Sequence, residues 1–77
     1  GCTPVTLGWF LYRMNEFERA ERYAKLLLDQ IDPDHPDCGS AYNLLGLIYK
    51  ERGRLQDAIE AYEKALENFQ RCDAEDS

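Results

Sequence analysis

At 77 residues, with 44% hydrophobic and 31% charged content, the chain has room for one hydrophobic core and not for two. Fifteen acidic residues against nine basic ones leave a net charge of −6. That balance disfavours attraction to nucleic acid or to an anionic membrane face and leaves a neutral or basic protein as the easier partner.

The longest apolar stretch, Leu44 to Tyr49, is interrupted by Gly46 and falls far short of the roughly 20 residues that span a bilayer. The chain begins at Gly1 with no Met, no basic n-region and no apolar h-region, so no signal or transit peptide is visible and the sequence reads as an excerpt of a longer chain. Cys2, Cys38 and Cys72 are odd in number, widely spaced and without a CxxC pair. This pattern predicts free thiols in a reducing cytosol, and hence a cytoplasmic location, rather than a disulfide framework or a zinc site.

Glycine and proline divide the chain into helical segments. Thr3-Pro4 opens the first, with Thr as N-cap and Pro at the first helical position, where its missing N–H costs nothing. Val5, Leu7, Gly8, Phe10, Leu11 and Met14 then form a broad apolar stripe. Asn15 breaks the pattern, as one of the few non-glycine residues that tolerates a left-handed turn. From Phe17 to Ile31 apolar residues recur at three and four, with Glu18–Arg22 and Glu21–Lys25 at i,i+4 marking the solvent face. Asp32-Pro33-Asp34-His35-Pro36-Asp37 cannot continue this helix.

Asp37 or Ser40 can cap a third helix, which carries Ala41, Tyr42, Leu44, Leu45, Leu47, Ile48 and Tyr49 to an end at Gly53, a natural C′ residue. A fourth places Leu55, Ala58, Ile59, Tyr62, Ala65, Leu66 and Phe69 on its apolar side. Asp73 to Ser77 reads as a short, frayed acidic tail. No strand signal competes.

A shift of 38 residues superposes Leu7-Gly8 on Leu45-Gly46, Leu11 on Tyr49, Asn15 on Gly53, Phe17 on Leu55, Ala20 on Ala58 and Leu27 on Ala65. Two copies of one helix pair result. The second copy, counted from Gly39 to Cys72, resembles the tetratricopeptide repeat: Tyr42, Leu45, Gly46, Tyr49, Gly53, Ala58, Tyr62 and Ala65 each fall at a signature position. Gln70 stands where that family closes on a proline. The first copy is carried by Leu7, Gly8 and Ala20 and departs at Pro4, Leu11, Asn15, Ala24 and Leu27. The step exceeds the family's usual 34 by about one helical turn. His35-Pro36-Asp37 followed by Asn43-Leu44-Leu45 is similar to the longer repeats of kinesin light chain.

The resemblance implies an all-α fold, an α-solenoid fragment of two antiparallel helix pairs. Its division is a divergent first pair over residues 1–34, an inter-repeat turn at 35–38, a second pair over 39–72 and the tail at 73–77. It further implies a protein–protein interaction module rather than an enzyme, one that receives a peptide or helix on a concave face lined by the first helix of each pair. By position that face would present Val5, Trp9, Tyr12 and Arg13 from the first repeat and Asn43, Leu47, Lys50 and Glu51 from the second. Val5 and Trp9 stand where a carboxylate clamp would need Lys and Asn, so an acidic chaperone tail is not the expected ligand. The alternative is a structural segment that joins neighbouring repeats or self-associates, because about three repeats are normally needed for stability.

No cofactor, metal, nucleic-acid or membrane partner is expected. Asp32, Asp34 and Asp37 around His35 lack the ligand count, turn glycine and closing Glu of a calcium loop. Cys38, three residues after His35 and near a helix start, could be an acidified thiol, but no third orienting group accompanies it.

Overall fold

The computed structural model describes residues 4–76, with side chains from Val5 to Cys72; the expected Thr3 cap, Cys2 and Ser77 lie outside the described residues. Four helices follow in order, α1 (Pro4–Arg13), α2 (Phe17–Gln30), α3 (Pro36–Glu51) and α4 (Leu55–Asp76), with no strand among the described residues. α4 runs through Asp76, past the point at Asp73 where a frayed tail was expected. No Gly or Pro interrupts it after Leu55.

The two turns within the helix pairs are the same motif. Asn15 has φ 64° and Gly53 has φ 78°, the left-handed conformation that ends a helix. Around Asn15, the N–H of Glu16 donates to Leu11 O at 2.9 Å and that of Asn15 to Tyr12 O at 3.0 Å. Around Gly53, the N–H of Arg54 donates to Tyr49 O at 2.8 Å and that of Gly53 to Lys50 O at 3.1 Å. Each pair of bonds satisfies two carbonyls that the helix end would otherwise leave orphaned. All four positions correspond at the 38-residue shift, so the repeat holds at the level of individual backbone bonds.

The connection between repeats is built differently from its expected form. α3 starts at Pro36, and its N-cap is His35, whose Nδ1 accepts from the Asp37 N–H at 3.0 Å. Neither Asp37 nor Ser40 holds that role. Proline at the first helical position has no N–H to satisfy, which fixes the residue before it as the cap. The turn itself is tied by Asp34 N–H to Asp32 Oδ1 at 3.1 Å and His35 N–H to Asp32 O at 2.8 Å.

α3 is the central element: α1, α2 and α4 all pack on it, α4 most extensively. Small residues make the close approaches possible. Ala20 and Ala24 of α2, and Ala58 and Ala61 of α4, are buried with Leu44, Leu45, Ile48 and Tyr49 of α3. A second cluster joins Val5, Leu27 and Ala41, so that α1, α2 and α3 share it. The molecule measures 37 × 30 × 18 Å, and the shortest dimension is that of two packed helices.

Candidate partner-binding face

The expected face is only partly the one the structure presents. Val5 is 3% exposed and packs with Leu27 and Ala41, so it belongs to the core and not to a partner face. The reason is the rotation of α1. Its buried arc contains Val5 and Gly8 and continues through the half-buried Leu11 and Tyr12, whereas Leu7, Phe10 and Met14, expected in the core, are more than half exposed.

Trp9 and Tyr12 sit at the margin of that arc. Both are half-buried and packed against the main core, with ring centroids 6.0 Å apart in an edge-to-face arrangement at 85°. Tyr12 in turn meets the Phe17 ring at 5.6 Å, so the pair is braced from the start of α2. Aromatic pairs of this geometry gain about 0.5–1.5 kcal/mol beyond their buried area. Trp9 also lines an open hollow of about 490 Å³ with Thr6, Phe10 and Arg13 of α1 and Met14 just after it.

On α3, Asn43, Leu47 and Lys50 follow at i, i+4 and i+7 and therefore share one face. Asn43 and Leu47 are half-buried, while Lys50 and Glu51 are exposed, as is Arg13 at the end of α1. Tyr62 of α4 packs against Gly46, which lies beside that face on α3. Burial pushes its hydroxyl pKa up, and the nearby Tyr12 hydroxyl adds to that shift.

Cys38 carries none of the features of an activated nucleophile. It is buried, its Sγ donates to Asp32 O at 3.1 Å, and His35 Nδ1 is engaged in capping α3. Burial pushes the thiol pKa up, and the carboxylates of Asp32, Asp37 and Asp34 push it further in the same direction. A reactive thiol needs the opposite shift.

Two clusters had no signal in the linear sequence. Asn68 is 5% exposed on α4; its Oδ1 accepts from Gly39 N–H at 3.0 Å, and its Nδ2 donates to Pro33 O and His35 O, both at 3.2 Å. Arg71 adds a bond to Asp34 Oδ1 at 2.8 Å, so the last turns of α4 clasp the inter-repeat turn. The other cluster gathers Lys25, Arg52 and Arg54 on Glu21. Apart from the expected Glu21–Lys25 pair, the partners in both lie about thirty or more residues apart, beyond the reach of a helical-spacing argument. Of the expected i,i+4 pairs, Glu21–Lys25 closes at 3.0 Å and Glu18–Arg22 forms no ion pair among the described residues; Lys64 of α4 lies over the Tyr42 ring, 5.5 Å from its centroid.

Four helices in two matching pairs, joined by identical internal turns and packed through glycine and alanine, define a two-repeat α-solenoid fragment. A family model described as tetratricopeptide repeat matches residues 2–71. The chain belongs to that family, whose repeats are generally protein–protein interaction modules and typically non-catalytic, binding protein partners and neighbouring repeats. No solved structure matches the chain. Among the described residues, no helix is long and apolar enough to cross a membrane.

Proposed function

We propose that the chain is a non-catalytic scaffold module that receives a peptide or helix of a protein partner on the face shared by α1 and α3. Trp9, Tyr12, Arg13, Asn43, Leu47, Lys50 and Glu51 would form that face, without Val5. The observation that carries this reading is the braced Trp9–Tyr12 pair, only partly buried and packed against the core. Rigid aromatics of this kind supply contact area while little rotamer freedom remains to be lost on binding. Asn43 and Lys50 offer hydrogen bonds to a peptide backbone or a side-chain carboxylate. The free thiols of Cys38 and Cys72 suit a reducing compartment such as the cytosol. The net charge of −6 argues against a polyanion as partner.

Peptides selected on the immobilised chain from a random display library provide the test. Trp9→Ala is expected to weaken their binding about 30-fold, a hot-spot loss of about 2 kcal/mol, and Lys50→Ala about threefold. Helicity is checked by circular dichroism, and exposed Lys50 serves as the variant that leaves the core intact. Full affinity in both folded variants removes the groove reading.

A second reading rests on the two ends of the array. Leu7 and Phe10 on α1, Met14 just after it, and Leu55, Ile59 and Leu66 on α4 are exposed large apolar residues. They occupy the outer sides of the first and last helices, where a neighbouring repeat or a second copy would stack. Sedimentation velocity over a rising concentration series is expected to show association of the isolated chain, and Phe10→Asp is expected to reduce it. A monomer throughout the series would leave the partner face as the better account.

A further inference from the structure

A different surface lies where α2 meets the turn between α3 and α4. Glu21 of α2 is nearly covered, its side chain 14% exposed, and three cations converge on its carboxylate. Lys25 Nζ stands 3.0 Å from Oε2, Arg52 Nη1 3.3 Å from Oε1 and Arg54 Nη1 3.7 Å from Oε2. Arg54 also donates through Nε and Nη2 to Asp57 Oδ2 at 2.9 and 2.8 Å, and lies 4.6 Å from the centroid of the Tyr49 ring. Glu21 holds the Lys25 ammonium pKa above its ordinary range, against the opposing effect of partial burial. These contacts fix three long side chains that would otherwise be mobile, yet Lys25, Arg52 and Arg54 stay between 40% and 54% exposed.

The three cations line a hollow of about 330 Å³ together with Arg22, Glu18 and Glu21. Four of the chain's nine basic residues gather there against two carboxylates, in a protein whose net charge is −6. Arg22 is exposed and makes no ion pair among the described residues. Each guanidinium has five N–H donors, so donors on Arg22 and Arg52 remain for a ligand after the Glu21 contacts are made.

We propose that this hollow is a second docking site, which takes a phosphorylated side chain on a protein partner. A phosphate monoester carries a charge of about −1.5 to −2 at neutral pH, opposite in sign to the surplus of cations that remains after Glu18, Glu21 and Asp57 are counted. Guanidinium forks fit its oxygens in bidentate geometry. The contacts to Glu21, Asp57 and Tyr49 hold the donors in place before binding, which lowers the entropy cost of capture. A nucleic acid or a bilayer extends over the whole acidic molecule and is repelled by it. A single phosphate is screened from charges beyond about 8 Å at physiological ionic strength and meets the lining itself, four cations to two carboxylates. The hollow is formed by the first repeat's second helix and the second repeat's turn, so it does not depend on the α1–α3 face and stands or falls separately from it.

The test is an NMR titration of the chain with N-acetyl-Gly-phosphoserine-Gly-amide, following backbone amides and arginine Nε–H resonances. Its other arms use the unphosphorylated peptide and vesicles containing phosphatidylserine. Saturable shifts centred on Arg22, Lys25, Arg52 and Arg54 are expected, with affinity about tenfold or more above that for the unphosphorylated peptide. Arg22→Glu and, separately, Arg52→Gln are expected to weaken binding about tenfold while helicity stays that of the parent. Equal response to the two peptides, an unchanged affinity in both variants, or tighter binding to the vesicles than to the phosphopeptide would each overturn the proposal.

Discussion

Asn68→Ala is expected to lower the unfolding free energy by about 2–3 kcal/mol, because it strips partners from three backbone groups at once. The Gly39 N–H is the costly one. Its bond to Asn68 is buried, and a buried donor left without an acceptor forfeits its full desolvation cost. The carbonyls of Pro33 and His35 are only partly buried, so water can replace Nδ2 there, which keeps the total below the sum of three lost bonds. In a domain of this size each kcal/mol moves Tm by about 4–8 °C, so a fall of roughly 10–20 °C is expected. Arg71→Ala is the internal comparison. Its ion pair with Asp34 belongs to the same clasp but is 52% and 61% exposed, and solvent screening leaves such a pair little net effect on stability. Urea unfolding followed by circular dichroism measures both; equal losses in the two variants would show that burial of Asn68 is not what makes the clasp effective.

What the sequence revealed and what it withheld divide along the range of the interactions. Asn15 and Gly53 were legible as turn residues, because a positive φ restricts the choice of side chain at the position itself. The pairing of Gly8 with Gly46, and of Ala20 with Ala58, was legible for a similar reason, since close helix approach demands small residues. His35 was within reach as well. The rule that placed Thr3 before Pro4 places His35 before Pro36, but two better-ranked capping residues nearby, Asp37 and Ser40, drew the assignment away.

The direction of the apolar stripes was not legible. α1 carries large apolar groups on most of its circumference, so periodicity fixes the width of its apolar arc and leaves open which part faces α3. Val5 shared one apolar stripe with Leu7, Phe10 and Met14 and was placed on the partner face by the family resemblance, whereas Val5 is buried and the other three are more than half exposed. α4 shows the same ambiguity, with Ala58, Ala61 and Ala65 buried and Leu55, Ile59, Leu66 and Phe69 left open. On α4 the alanines are buried, and the rings of Tyr62 and Phe69 reach α3 where Gly46 and Gly39 make room for them. Among the candidate face residues Val5 is the one that is buried; Asn43, Leu47 and Lys50 share one side of α3 by their spacing.

Gly46→Val is expected to cost about 3 kcal/mol, at the upper end of the usual range for overpacking. A Cβ at position 46 would stand 2.5 Å from Tyr62 Cε1, 2.7 Å from Cδ1 and 2.9 Å from Cζ, all on one ring. A ring edge cannot yield at one atom alone. Tyr62 would have to swing as a body away from the core cluster it packs against, or α4 would have to draw back from α3. At Gly8 the comparable approach is 2.6 Å to Leu44 Cδ2, a terminal methyl that a rotamer change can move. Alanine also recovers about 1 kcal/mol of helix propensity at either glycine. Gly8→Ala is therefore expected to stay within about 1 kcal/mol of the parent and Gly46→Ala to lose about 1–2 kcal/mol. Thermal unfolding of the three variants gives the ordering, and a Gly46→Ala protein as stable as Gly8→Ala would mean that the ring moves freely. The same spacing has a functional consequence. Gly46 sets how closely α4 supports α3, and α3 carries Asn43, Leu47 and Lys50, so a Gly46→Ala chain that stays folded is also expected to bind selected peptides more weakly than the parent, without any change in the residues that would touch them.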